Sequence, residues 1–190
     1  MFNAVYLAYT GGENLLGPDP ATFLSHETGQ WGLRFLIIAL ALTPIRYLFN
    51  WPFAWQLRRM MGLYALFYAS LHVLVFLQFQ IFWRWADIGR EILERPYITV
   101  GFAAFVMMIP LGVTSFKFLQ RKMGRNWKKL HRVVYLINIM ALVHLFWQVR
   151  SSYAEFAFYG SLVALFLIYR ALRAWLPVVR QFTFLPPRQH

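Results

Sequence analysis

Residues 130–149 read LHRVVYLINIMALVHLFWQV, an almost wholly apolar run with one histidine at its start and another inside it. At 1.5 Å per residue a helix of this length covers about 30 Å, the thickness of a bilayer's hydrocarbon core. Past Arg132 the histidine inside the run is His144. Titratable groups are costly in hydrocarbon and are kept there for function, so His144 is a functional candidate. His131 stands at the mouth of the same run. A second run, Met60–Trp83, carries His72 near its middle.

Working outward, three more apolar segments have spanning length: Trp31–Leu48, Ile98–Leu119 and Phe156–Leu176. The first ends near Thr43-Pro44, the second of these carries Pro110 as a kink point, and Pro177 stops the last. The chain is 59% hydrophobic, 14% charged and 19% aromatic, with mean hydropathy +0.47. Ordinary soluble domains are about 45–50% apolar and about 25% charged. The expected fold is therefore an all-α integral membrane bundle of five transmembrane helices. Its parts are a periplasmic or interfacial segment over residues 1–30, a membrane domain over 31–176 and a cytoplasmic tail over 177–190. Met1–Tyr9 is apolar but too short to span, and it lacks the basic n-region and cleavage pattern of a signal peptide.

There are no cysteines. Disulfides, thiolate metal sites, cysteine-ligated iron–sulfur clusters and covalent haem attachment are thereby excluded. The chain also has neither a GxGxxG fingerprint nor a phosphate-binding GxxxxGK[ST] loop, so no nucleotide domain is encoded. HExxH, a nucleophile elbow and paired helical carboxylates are missing too, and hydrolytic chemistry has no support.

Charge gives the orientation. Arg46, Arg58 and Arg59 lie in one loop, and Lys117, Arg121, Lys122, Arg125, Lys128, Lys129 and Arg132 in another. Arg170, Arg173, Arg180 and Arg188 lie at the C-terminal end. These are fourteen of the nineteen basic residues, while all seven acids fall on the opposite side. The positive-inside rule places the basic loops in the cytoplasm and the acids outside, which in a bacterial inner membrane means the periplasm. The net charge of +12 reads as topological signal and attraction to anionic membrane lipid, or as a dock for an acidic soluble partner at residues 116–132. Nucleic acid is not an expected partner, because the basic residues are confined to one membrane face.

Depth then pairs two of the histidines. His72 is 13 residues past Arg59 and His144 is 15 past Lys129, so both lie about 20–22 Å from the inner boundary. Matched imidazoles on neighbouring spans suit the axial ligands of a b-type haem, whose bis-imidazole form serves electron transfer. His131 is 13 residues before His144, about 19 Å along the axis. The corresponding positions on the second span are Arg59 and Arg58, and arginine stays protonated and ligates iron poorly. It suits a haem propionate, a flavin phosphate or a quinone carbonyl. A second haem at His131 would thus need an unusual sixth ligand. A membrane histidine can also serve only as an interhelical hydrogen-bonding group, worth about 0.6 kcal/mol.

Arg34, about one turn inside the first span, either snorkels outward or pairs with a haem propionate. Gly62 and Gly101 allow close helix approach without belonging to a motif. Trp31, Trp83, Trp85, Trp147 and Trp175 fit boundary belts.

Several of these stretches resemble one family. They are Thr28-Gly29-Gln30-Trp31 through Thr43-Pro44-Ile45-Arg46, Arg58-Arg59-Met60-Met61-Gly62-Leu63, Leu71-His72, Arg95-Pro96-Tyr97-Ile98-Thr99-Val100-Gly101, Thr114-Ser115, and Trp127 through Tyr135. Over roughly residues 17–176 the chain is similar to the haem-binding membrane subunits of bacterial protein-methionine-sulfoxide reductase systems (the MsrQ or YedZ family), in the ferric reductase-like transmembrane group. The resemblance implies a b-type cytochrome passing electrons outward to a periplasmic molybdopterin reductase (MsrP-like). The donor it implies is the quinone pool or a cytoplasmic flavin reductase, and flavin (FMN) binding is associated with the family. Its haem-associated histidines fall on His72, His131 and His144. It also implies six spans, one of them ahead of Gly17-Pro18-Asp19-Pro20, where this sequence has Met1–Thr10. Two other readings stay open at this stage: a quinol-oxidising cytochrome b of another complex, and a non-redox membrane scaffold with structural histidines.

Overall fold

The computed structural model describes residues 19–148 and 153–175. Every regular element among them is helical: α1 (Pro20–Leu48), α2 (Ala54–Phe76) with a π-helical turn over Leu77–Ile81, α3 (Trp85–Glu94), α4 (Pro96–Val113), α5 (Lys117–Met123), α6 (Arg125–His131), α7 (Val133–Gln148) and α8 (Ala154–Trp175). Five stretches are long and apolar enough to cross a membrane: Pro20–Leu48, Ala54–Ile81, Pro96–Val113, Arg125–Gln148 and Ala154–Arg173. The all-α membrane bundle expected from composition is what the chain forms. The short apolar segment Met1–Tyr9 and the tail past Trp175 lie outside the described residues.

The helix boundaries differ from the apolar runs in instructive ways. α1 begins at Pro20, well ahead of Trp31. Pro20 takes the first helical position, where a missing N–H costs nothing. Asp19 caps the end, accepting from the Thr22 amide at 3.1 Å. The added turns bury Thr28 and Gln30, so residues 20–30 continue the first span's helix. Burial of polar side chains is invisible to a hydropathy window.

α1 also runs through Pro44 to Leu48. Proline has no N–H, so the Leu40 carbonyl one turn back loses its helical donor. Arg170 on α8 supplies the replacement: its Nη2 donates to Leu40 O at 3.0 Å and to Thr43 Oγ1 at 2.6 Å. Nη1 of the same side chain donates to Tyr135 on α7 at 2.5 Å. One guanidinium thereby ties three helices together.

The second span ends in the π-turn, after which Phe82 and Trp83 take left-handed φ angles of 51° and 58°. The third span stops at Val113, earlier than its apolar run, and Pro110 sits inside its last turn. Thr114 Oγ1 donates to the Pro110 carbonyl at 2.6 Å. The fourth span is broken at Arg132 into α6 and α7. There the Arg132 and Tyr135 amides reach only three residues back, at 3.2 and 3.1 Å. His131 and His144 are therefore not on one unbroken helix.

α1 is the hub of the packing. Its Leu33, Ile37 and Leu40 meet Tyr159 and Val163 of α8. Its Leu36 joins Ala65, Ala104, Met108 and Ile137 from α2, α4 and α7. α2 packs on α1 and α4, and α4 packs on α7, whereas α2 and α7 make no broad contact. The two histidine-bearing helices are thus brought together chiefly through α1 and α4. Large apolar side chains left outward, such as Phe67 and Leu165, are what a hydrocarbon solvent accommodates.

Candidate functional site

His72 on α2 and His144 on α7 meet as the depth match requires, their ring centroids 6.1 Å apart and their planes at 86°. Each ring is held by a backbone carbonyl. His72 Nδ1–H donates to Ser25 O of α1 at 2.9 Å, with Thr28 Oγ1 3.4 Å from the same nitrogen. His144 Nδ1–H donates to Tyr97 O of α4 at 2.7 Å. A carbonyl only accepts, so the proton of each neutral imidazole sits on Nδ1 and the Nε2 lone pair is left for a metal. Outer hydrogen bonds of this kind orient metal-bound histidines and raise their basicity.

The spacing fits an iron. An imidazole nitrogen lies about 1.1 Å from its ring centroid for ring bonds of about 1.35 Å, and a metal–imidazole bond is about 2 Å. Two such halves give about 6.2 Å, against the observed 6.1 Å. Among the described residues no third histidine, cysteine or carboxylate joins the pair to form a metal-holding group. A bare ion would thus find two ligands, which is too few. Iron already bound by four porphyrin nitrogens needs two, one on each face.

His131, Arg58 and Arg59 come together at the other end of the bundle. They line a cavity of about 850 Å³ whose wall also includes Lys128, Met108 and Trp127. His131 lies flat on Trp127, centroids 4.0 Å apart at 28°, and its Nδ1 donates to Trp127 O at 3.1 Å. Trp127 is fixed in turn by its Nε1 bond to Thr114 O at 2.9 Å. Basic groups rim a pocket with an apolar floor. Such a cavity suits an amphiphile with a polar or anionic head.

The family model described as "Ferric reductase like transmembrane component" matches residues 28–142. The chain belongs to this family. The ferric reductase-like match contains His72 and His131, and His144 lies just past its end. The chain is also 44% identical over 162 residues to the "Protein-methionine-sulfoxide reductase heme-binding subunit MsrQ" of Xanthomonas euvesicatoria pv. vesicatoria, covering 85% of this chain and 74% of that one. A protein of the same name from Xanthomonas oryzae pv. oryzae (strain MAFF 311018) is 43% identical over 163 residues, 86% and 75% of the two chains. One from Herminiimonas arsenicoxydans is 40% identical over 163 residues, 84% and 75%. No solved structure matches.

Arg34, named with the haem candidates from sequence, has protein partners in this ferric reductase-like bundle. It donates to Tyr159 on α8 at 2.9 Å and to Gln30 at 2.5 Å, and it stacks on Trp31. Gln30 continues to Glu155 at 3.0 Å. Arg34 thus fastens α1 to α8. The carbonyls of Ser25 and Tyr97 were not legible, because no side-chain pattern marks which backbone oxygen a distant ring will reach.

Proposed function

We propose that this chain is a b-type cytochrome of a bacterial inner membrane, carrying electrons from the cytoplasmic half of the bilayer to its outer half. The imidazole pair carries the reading: two rings, each with its Nδ1 proton spent on a carbonyl, stand with centroids 6.1 Å apart and leave both Nε2 lone pairs for a metal. His72 and His144 would hold one haem b, whose iron supplies one-electron storage. The chain's own residues fix the orientation of both rings through the carbonyls of Ser25 and Tyr97. The names of the relatives point the same way, since each is called a heme-binding subunit of a protein-methionine-sulfoxide reductase.

The inner cavity is the proposed electron-acceptance site. His131, Arg58 and Arg59 offer donors to a quinone carbonyl or to the phosphate of FMN, and His131 alone would supply one ligand to a second haem. The quinone pool or a cytoplasmic flavin reductase is the proposed donor. The proposed acceptor is a periplasmic molybdopterin enzyme that reduces methionine sulfoxide, the sulfoxide chemistry belonging to that partner.

Reduced-minus-oxidised spectra with a haem-to-protein ratio test this on the purified wild type and three variants. His72→Ala and His144→Ala are each expected to abolish the low-spin bis-imidazole spectrum. His131→Ala is expected to leave it in place. A protein purified colourless with haem available, or a His144→Ala variant with the wild-type spectrum, would refute the reading. Capture of the outward partner separates this role from that of a quinol-oxidising cytochrome of another complex.

A further inference from the structure

The two histidines are served by the same local device on two different helices. His72 donates to Ser25 O, and four residues after Ser25 comes Gly29. His144 donates to Tyr97 O, and four residues after Tyr97 comes Gly101. In an α-helix the N–H of residue i points at the carbonyl of residue i−4. Each imidazole therefore shares a carbonyl with the amide of the glycine one turn on, and must lie over that glycine to reach it. A Cβ on Gly101 would stand 2.6 Å from His144 Nδ1 and 2.8 Å from its Cε1. A Cβ on Gly29 would stand 3.2 Å from both His72 Nδ1 and Cε1. Glycine is among the poorest helix formers, yet both positions are inside helices. Gly160, inside α8, has nothing within 4 Å of an added Cβ, so helical glycines of this chain are not all crowded.

We propose that Gly29 and Gly101 are positioning residues for the axial ligands: by omitting a side chain they let each imidazole reach a helical carbonyl one turn back, which fixes the Nδ1–H tautomer and makes Nε2 the more basic ligand. The inference rests on the haem reading above and deepens it. The hydrogen bond lends the ring imidazolate character, which favours ferric over ferrous iron. Without the bond the midpoint potential rises. Crowding is more severe at Gly101 than at Gly29, so the effects are graded in that order.

The test uses the purified holoprotein as wild type, Gly29→Ala, Gly101→Ala and Gly160→Ala. Redox titration of the α-band, electron paramagnetic resonance of the oxidised form and a haem-affinity measurement are the readouts. Gly101→Ala is expected to bind haem about 10–100-fold more weakly, the range for loss of a partner behind a metal ligand, and to show a high-spin component. Gly29→Ala is expected to keep low-spin iron with a more positive potential, and Gly160→Ala to match the wild type. If Gly101→Ala does not fold, Gly29→Ala decides alone, since its neighbour needs to give by only a few tenths of an ångström. A low-spin wild type whose Gly29→Ala and Gly101→Ala forms are indistinguishable from it overturns the glycine proposal and leaves the haem reading standing. A wild type with no low-spin signal removes both.

Discussion

Replacing Arg170 by methionine should loosen the junction of α1, α7 and α8, and the cost can be worked from the bonds it makes. Pro44 leaves Leu40 O without a helical donor, and Arg170 Nη2 takes that place at 3.0 Å. Arg170→Met returns the carbonyl to an unsatisfied state away from water, at about 1–3 kcal/mol. The bonds to Thr43 Oγ1 and Tyr135 add about 0.6 kcal/mol each, the average for interhelical side-chain bonds in a bilayer. The expected loss is therefore about 2–4 kcal/mol. Pro44→Ala supplies Leu40 O with an amide from its own helix, so in that background Arg170→Met should cost about 1–3 kcal/mol less. The assay is reversible unfolding of the four members of this cycle in mixed micelles, followed by helical circular dichroism, with the visible spectrum as a separate reporter of the His72–His144 pair. The spectrum should be unchanged in the folded variants, because the latch lies at the opposite end of the bundle from the pair. A cost under about 0.5 kcal/mol, or an equal cost with Pro44 intact and in the Pro44→Ala background, would show that the guanidinium does not replace the missing amide.

Three further outcomes are expected. The Thr22 hydroxyl, and then its amide, hold the Asp19 carboxyl below the ordinary carboxylate range. Its contribution to the start of α1 is thus complete above the ordinary pKa of about 3.9 and fades as pH falls through the lower folded value, which amide exchange at Thr22 reads; Asp19→Asn should remove that pH dependence. Arg58→Gln should slow haem reduction by a soluble quinol analogue about tenfold, equivalent to about 1.4 kcal/mol for one lost charge-assisted bond, while the spectrum of the isolated protein stays as it was; an unchanged rate would argue against quinone binding in the inner cavity. Trp127→Phe keeps an aromatic surface under His131 but loses the bond to Thr114 O, and should have a smaller effect in the same assay than Trp127→Ala, with equal effects counting against the stacking role.

Much of this protein was settled by the order of its residues. Five apolar runs, the basic residues gathered on alternate connections and the absence of cysteine fixed the class of fold and the expected orientation, because hydropathy and charge act through composition along the chain and need no contact map. The pairing of His72 with His144 was also legible, since a constant helical rise converts sequence offsets into depth. Tertiary structure alone decided the rest. Thr28 and Gln30 proved to be helix interior, and a break at Arg132 separated His131 from the helix of His144. Arg34 found its partners in Gln30 and in Tyr159 of another helix. Arg170 found the carbonyl that Pro44 had orphaned from 130 residues away in sequence. Each of these depends on which backbone atoms from distant segments come within bonding distance. That is set by how helices pack and rotate against each other, a three-dimensional outcome that periodicity within one segment does not encode.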